Sequence, residues 1–285
     1  MIRVKVEDDI APAEYLSRLG QSGDGPHDIA TAALMLAALD HPEKKLAPYR
    51  SHLQELAGAA RAEAEFARNA DGAARALGHL IAGRYNYDGE RMVYDDPANA
   101  DLIQVIDRRR GLPVALGILY MHAGRAANMQ AQGLFAPGHF LLKLTVRGTE
   151  ALIDPFNGGA TVERERISPS VGMPALMSEP APTEEPNPLE TVSDIDVLLR
   201  LQNNIRNRAL KNRDSVRALE IGRRMASIAP RRPPLWLELG RLEEATGALS
   251  AARSAYTNCI RHARAGDAFH NEATLAVEAL KRRIN

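Results

Sequence analysis

The chain has 285 residues, with 36 Lys and Arg balanced by 36 Asp and Glu, a length that fits about two domains. Its composition of 45% hydrophobic and 25% charged residues excludes global disorder and fibrous repeats, and zero net charge removes the simplest case for nucleic-acid binding. Apolar runs such as Ile29 to Leu39 are too short for the ~20 residues that span a bilayer. The chain also opens without the basic start and apolar stretch of a secretion leader, so a cytoplasmic protein without a membrane segment is expected. The single cysteine, Cys259, has no partner for an internal disulfide, and no His/Cys cluster has zinc spacing, so neither metal nor cofactor is expected.

Residues 1 to about 82 read as helices, over Asp28–Leu39, Leu46–Ala67 and Asp71–Ala82, where apolar positions recur at three and four and Asp71 suits an N-cap. Tyr85 to Asn99 is polar and turn-rich, and Tyr85 to Gly89 reads first as a turn that also suits the mouth of a cleft. Two further helices follow, from about Ala100 to Asp107 and from Pro113 to about Ala127, with Pro113 suited to a first helical turn. The period then changes to that of strands at Gly138–Val146 and Ala151–Pro155, joined by the two-residue loop Arg147-Gly148. The first domain, residues 1–167, is thus α+β: mainly helical, with a small antiparallel sheet.

Residues 168–190 hold six prolines among Ser, Thr and Glu and read as a semi-rigid spacer. Residues 191–285 are helical, and Trp236, Leu239, Gly240, Gly247, Ala252 and Tyr256 follow the spacing of a tetratricopeptide unit, with Glu243 where tyrosine is usual. A shift of ~34 residues sets Ala218 under Ala252 and Met225 under Cys259, and puts Pro230 at a closing position. Such a module packs small residues between helices and offers Trp236 and Tyr256 to a protein partner. Cys259 is expected to be a buried packing residue. Between Arg200 and Arg232 ten basic residues face two acidic ones. With no aromatic residue there for base stacking, a solvated helix face is favoured, then an acidic peptide partner, with nucleic acid last.

The stretch from Arg108 to Gly159 carries the candidate chemistry. If Arg147-Gly148 forms the hairpin loop, Leu141 lies opposite Asp154, and His139 sits diagonally from Asp154 at ~7–8 Å, a gap the two side chains can close. Such a pair orients an imidazole as the base for a nucleophile; in the alternative reading His139 bonds within the core and Asp154 caps the turn at Pro155. One or more of Arg108, Arg109 and Arg110 are expected to pair with nearby carboxylates such as Asp101 or Asp107, with contact to an anion beside the helix start as the alternative.

The motifs Arg109-x-Gly111-x-Pro113, Pro137-Gly138-His139-Phe140 and Ile153 to Gly159, preceded by Tyr94, Asp96, Pro97 and Asn99, resemble the bacterial SirB-type transglutaminase-like proteins that end in tetratricopeptide repeats. The resemblance implies a papain/transglutaminase-like core with His139 and Asp154 as the second and third members of a Cys-His-Asp triad. It also implies a cleft to which Asn99, Arg109, Gly111, Pro113, Pro137, Gly138 and Phe140 contribute. The nucleophile position falls on Ala115, and no Cys, Ser or Thr lies between Arg108 and Leu119. The chain is therefore read as a non-catalytic interaction protein that binds its partner through the cleft and repeats, with a hydrolase or amide-processing enzyme using only His139 and Asp154 as the alternative.

Overall fold

A computed structural model describes residues 10–136, 139–164 and 190–284. It resolves into two compact units, one covering 24–201 and the other joining 10–23 to 202–284. The expected spacer at 168–190 lies outside the described residues except for Glu190.

The 24–201 unit is built on two helices that are apolar on all sides, as buried helices are. In α2 (Ile29–Ala38) every residue but Thr31 is buried, and in α6 (Pro113–Ala126) Val114 to Met121 are all buried. Asp28 caps α2 by accepting from Thr31 N at 3.1 Å. Helices α3 (Ala47–Glu63), α4 (Ala70–Gly78) and α5 (Leu102–Arg108) complete the helical part. The α4 cap is Asn69, whose Oδ1 accepts from Gly72 N at 2.9 Å, while Asp71 sits in the first turn and not at the cap position expected for it. The helix does not run on to Ala82 as an α-helix: His79–Arg84 forms a π-helix.

The sheet is larger than the sequence pattern predicts. Strands β3 (Gln130–Ala136), β4 (His139–Val146), β5 (Thr149–Asp154), β6 (Ala160–Thr161) and β7 (Thr191–Val192) pair antiparallel in the order β6-β5-β4-β3-β7. The expected hairpin register holds: Val146 pairs Thr149 and Leu142 pairs Ile153, with Arg147 at φ 49° and Gly148 at φ 80° in the loop. A separate two-residue parallel pair joins β1 (Asp88–Gly89) to β2 (Arg110–Gly111).

Two boundaries differ from the linear division of the sequence. Residues 191–201 belong with the sheet, because β7 pairs with Gly133 and Leu134 and because Gly133 leaves room for Val197, whose Cγ2 a Cβ there would meet at 2.8 Å. The N-terminal helix α1 (Pro12–Ser22) belongs with the repeats. Gly20 permits this contact, since a Cβ on it would lie 2.1 Å from Ser227 O.

The repeat unit takes in the second part of α7 (Asp194–Lys211) together with α8 (Ser215–Ile228), α9 (Pro233–Ala245), α10 (Leu249–His262) and α11 (Ala268–Ile284). Its small residues sit where helices meet: Ala218 and Ala252 are fully buried, and a Cβ on Gly240 would lie 2.5 Å from the Tyr256 ring. Cys259 is buried beside Leu237, Ala252, Tyr256 and Leu280, as expected of a packing residue. The basic stretch is not simply a solvated face. Arg206, Arg208 and Arg224 are buried, and Arg206 and Arg223 reach forward to Glu238 and Glu243, acids outside the stretch itself. The local charge excess is correspondingly smaller than a count over 200–232 suggests.

Candidate functional site

Helix α6 begins at Pro113 after Leu112, whose N–H donates to Asn99 O at 2.8 Å. Gly111 is confined, since a Cβ there would lie 3.0 Å from Val105. Ala115 is completely buried within the first turn, between Val114 and Leu116. The position that the resemblance gives to a nucleophile therefore holds a methyl group in a packed environment.

Phe140, the last residue of the Pro-Gly-His-Phe motif, is buried and fixes the sheet against α6. A Cβ on Gly117 would lie 2.3 Å from its ring and one on Gly133 3.2 Å from it, so the ring fills the space left by two glycines. Strand alternation puts Phe140, Leu142 and Leu144 on the α6 side. His139 then shares the other side with Leu141, which packs on Leu134 and Leu152. His139 is exposed at the start of β4 and has no hydrogen bond or ion pair among the described residues. Pro137 and Gly138 lie outside those residues.

Asp154 is used locally. Its Oδ1 accepts from Phe156 N at 2.9 Å and its Oδ2 from Asn157 Nδ2 at 2.6 Å, which closes the 3₁₀ turn Pro155–Asn157. No ion pair joins it to His139 among the described residues, and the carboxylate caps the turn. The loop that follows packs tightly: a Cβ on Gly159 would meet the Tyr120 ring at 2.7 Å and one on Gly89 the Phe156 ring at 2.5 Å. Arg91 lies over Phe156 at 4.7 Å and donates to Phe156 O and Asn157 Oδ1, both at 3.0 Å, and Tyr94 meets the same ring edge-on at 6.0 Å.

Sequence reading missed Tyr120, whose hydroxyl is buried with no hydrogen-bond partner among the described residues. Burial, with the charges of Asp154 and Asp88, raises its pKa and keeps the phenol protonated. An aromatic residue in an otherwise aliphatic helix was the available signal.

Asn99 is fully buried and works as a structural joint, donating through Nδ2 to Val93 O at 2.7 Å and accepting from Arg108 Nη2 at 2.7 Å. Arg108 also pairs with a nearby carboxylate, as expected, though the partner is Asp96 at 3.1 Å. Asp101 instead caps α5 through Gln104 N and bonds His41, and Asp107 pairs with Lys44. Arg109 points elsewhere, to Tyr87 and His52. In the repeat unit, Tyr256 is buried and donates to Glu244 Oε2 at 3.0 Å. Trp236 is half-buried, donates through Nε1 to Pro230 O at 2.7 Å, and lines a groove of about 590 Å³ with Leu239, Ala255, Arg223 and Glu243. Among the described residues no cluster of three or more His, Cys, Asp or Glu has the geometry to hold a metal ion, and no helix is long and apolar enough to cross a membrane.

The profile described as transglutaminase-like superfamily matches residues 47–203. The chain belongs to this superfamily. A tetratricopeptide repeat profile matches residues 205–284, so the transglutaminase-like domain is followed by repeats as the motifs imply. Relatives include a UPF0162 protein of Xylella fastidiosa, 30% identical over 148 residues covering 50% of this chain and 53% of that protein. Another is a UPF0162 protein of Vibrio cholerae, 30% identical over 46% of this chain and 49% of that protein. These are the bacterial SirB-type group to which the motifs point. The chain is also 28% identical to F-box only protein 21 of Mus musculus over 82 residues, 29% of this chain and 13% of that one. It spans about half the length of the UPF0162 relatives it matches. No solved structure matches it.

Proposed function

We propose that this transglutaminase-like protein is non-catalytic and acts in the cytoplasm by binding a protein partner through its repeats and residual cleft, with the division between the two roles near the Pro-rich segment 168–190. One observation carries the reading: the helix start that would present a nucleophile presents the buried methyl of Ala115. Three others support it. The one cysteine lies in the repeat unit, fully buried, its thiol pushed up to about 11 chiefly by burial. Asp154 spends its carboxylate on its own turn. His139 stands on the side of β4 away from Phe140 and α6, and has no hydrogen bond or ion pair to a nucleophile among the described residues.

The groove beside Trp236 suits an extended segment, with apolar walls at Leu239 and Ala255 and an exposed guanidinium, Arg223, half-spent on Glu243 at 2.9 Å. A partner segment with an acidic residue next to an apolar one fits that surface.

The test has two arms. The full chain and its His139→Ala variant are incubated with an activated ester and with a glutamine amide plus an amine acceptor. No protein-dependent release or transfer is expected from either, and turnover that disappears in His139→Ala would establish an enzyme. In the second arm a photo-crosslinker at Ser254, beside Trp236 in the groove, should trap a protein whose capture is lost on Arg223→Glu. Equal capture by that variant would reject the groove as the docking surface.

A further inference from the structure

A second cluster of polar side chains lies apart from His139 and Asp154. Three uncommon backbone conformations converge on it. After α4 the chain runs as a six-residue π-helix, with Tyr85 N donating to Leu80 O at 2.9 Å. Asn86 then takes φ 58°, and Arg109, at the end of α5, also takes φ 58°. Wide π turns are rare and gather at functional sites. A left-handed residue that ends a helix is usually glycine, and here it is an arginine.

The Arg109 guanidinium lies over the Tyr87 ring, 4.6 Å from its centre. Its Nη1 donates to the Tyr87 hydroxyl and to His52 Nε2, the latter at 2.7 Å, and His52 Nε2 lies 2.8 Å from the Tyr87 hydroxyl. Tyr85 meets the imidazole edge-on at 5.6 Å and donates to Glu55 Oε1 at 2.8 Å. Because an arginine nitrogen only donates, His52 Nε2 must accept, and the ring is neutral with its proton on Nδ1. Burial first, and then the Arg109 charge, hold His52 below its ordinary pKa, in agreement with a neutral ring.

This cluster clamps Arg109 through one nitrogen. Its Nε and Nη2, like His52 Nδ1, make no protein hydrogen bond among the described residues. Arg109 and His52 line an open groove of about 570 Å³ together with Lys44, Lys45, Tyr49 and Asp107. Three cations face one carboxylate in that lining, leaving two positive charges in excess. The carboxylate is already held by Lys44 at 2.6 Å and by the Tyr49 hydroxyl at 3.0 Å, while exposed Lys45 is bonded to no side chain among the described residues.

We propose that this groove binds the phosphate group of a small phosphorylated ligand, with the open edge of Arg109, the Lys45 ammonium and His52 Nδ1–H as its donors. A guanidinium fixed on an aromatic ring has little rotamer freedom left to lose and matches two oxygens of a phosphate at once. The excess of two positive charges matches a phosphate dianion better than it does a carboxylate. A neutral imidazole adds a third donor without adding charge, and the volume is that of a small-molecule site. This site is independent of the partner-binding reading above.

The full chain is titrated with inorganic phosphate, phenyl phosphate and benzoate at constant ionic strength, following the arginine Nε–H resonances by NMR and the affinity by calorimetry. Saturable binding of at least one phosphate compound is expected, with benzoate at least tenfold weaker; the tighter of the two phosphate compounds shows whether the free ion or an ester is the ligand. Arg109→Gln should weaken binding by about tenfold or more. Arg109→Gln also removes a packed side chain, so Lys45→Ala is the companion variant: it should weaken binding by roughly two- to fivefold and leave the melting temperature unchanged. Arg253→Gln, on an exposed face of the repeat unit, should change nothing. An absent saturable shift, affinity indifferent to Lys45→Ala and Arg109→Gln, or benzoate binding as tightly as phosphate would each overturn the assignment.

Discussion

Substituting Gly117 by alanine tests whether Phe140, a residue of the family motif, serves packing or ligand binding. An added Cβ would lie 2.3 Å from Phe140 Cε1 and 2.9 Å from Cδ1, while the other edge of the ring already occupies the space where a Cβ on Gly133 would come within 3.2 Å of it. Overpacking of this kind costs about 1–3 kcal/mol, while replacing glycine inside a helix returns about 1 kcal/mol. With a clash this close the upper end applies, and a net loss of about 2 kcal/mol is expected. In a Phe140→Leu background the obstruction is gone and only the helix gain remains, so the same substitution should stabilise by up to about 1 kcal/mol. The sign reversal, a coupling of about 3 kcal/mol, is the diagnostic quantity. Urea unfolding followed by circular dichroism measures it. Stabilisation by Gly117→Ala with Phe140 in place, or an equal effect in both backgrounds, would refute the packing role.

Three other outcomes are expected. Asp194→Asn removes the carboxylate charge and leaves a single acceptor oxygen where Arg125 had two at 2.7 Å and His27 N had one at 2.8 Å. Because Asp194 is buried and Arg125 only partly exposed, the loss should be about 3 kcal/mol, the lower end for a broken buried pair, and a loss below about 1 kcal/mol in a denaturant titration would contradict it. Cys259, with its thiol at about 11, should react with a disulfide reagent at pH 8 at least roughly 200-fold more slowly in the folded chain than in urea, from thiolate fraction alone. Comparable rates would show that the thiol is not buried. His52 titrates below its ordinary 6.5 in the folded chain, so the unfolded state takes up a proton first as pH falls. Stability should therefore decline as pH drops through that value, and His52→Asn should flatten this part of the profile; an unchanged slope in the variant would show that His52 is not held neutral.

The legible parts of the fold were those governed by local rules. Helix α6 starts at Pro113 because proline suits a first turn, and the 147–148 hairpin follows from a two-residue loop, so both appear where the sequence puts them. What escaped depended on contacts between distant residues. Strand β3 carries Gly133 in mid-strand, which weakens a strand pattern locally, yet the glycine is there to admit Phe140 and Val197. Helix α1 joins the repeats because Gly20 lets it touch the end of α8, a fact no linear boundary records. The candidate site divided in the same way. The hairpin arithmetic gave the register of the 142–153 pairing correctly, but not the donors, Phe156 N and Asn157 Nδ2, that claim the Asp154 carboxylate. The cluster of His52, Tyr87 and Arg109 spans 57 residues of sequence between its ends and is held by left-handed backbone at two positions, so only coordinates bring it together.

The same geometry gives the motif residues structural work that does not depend on a nucleophile. Gly111 makes room for Val105, Asn99 ties the 93–94 carbonyls to Arg108, Phe140 fills the gap between Gly117 and Gly133, and Asp154 closes the turn that seats Gly159 on Tyr120. Each of these residues is held by packing or by a satisfied hydrogen bond, either of which costs stability when removed whatever the chemistry. A nucleophile has no such structural tie: replacing a thiol or hydroxyl by a methyl at a buried first-turn position leaves no buried donor or acceptor without a partner. His139, exposed and unbonded among the described residues, is a motif member with no structural work of this kind. His139→Ala should therefore leave the unfolding midpoint within about 0.5 kcal/mol of the parent, as for other surface changes, and a larger loss would mean that the histidine belongs to the packing after all.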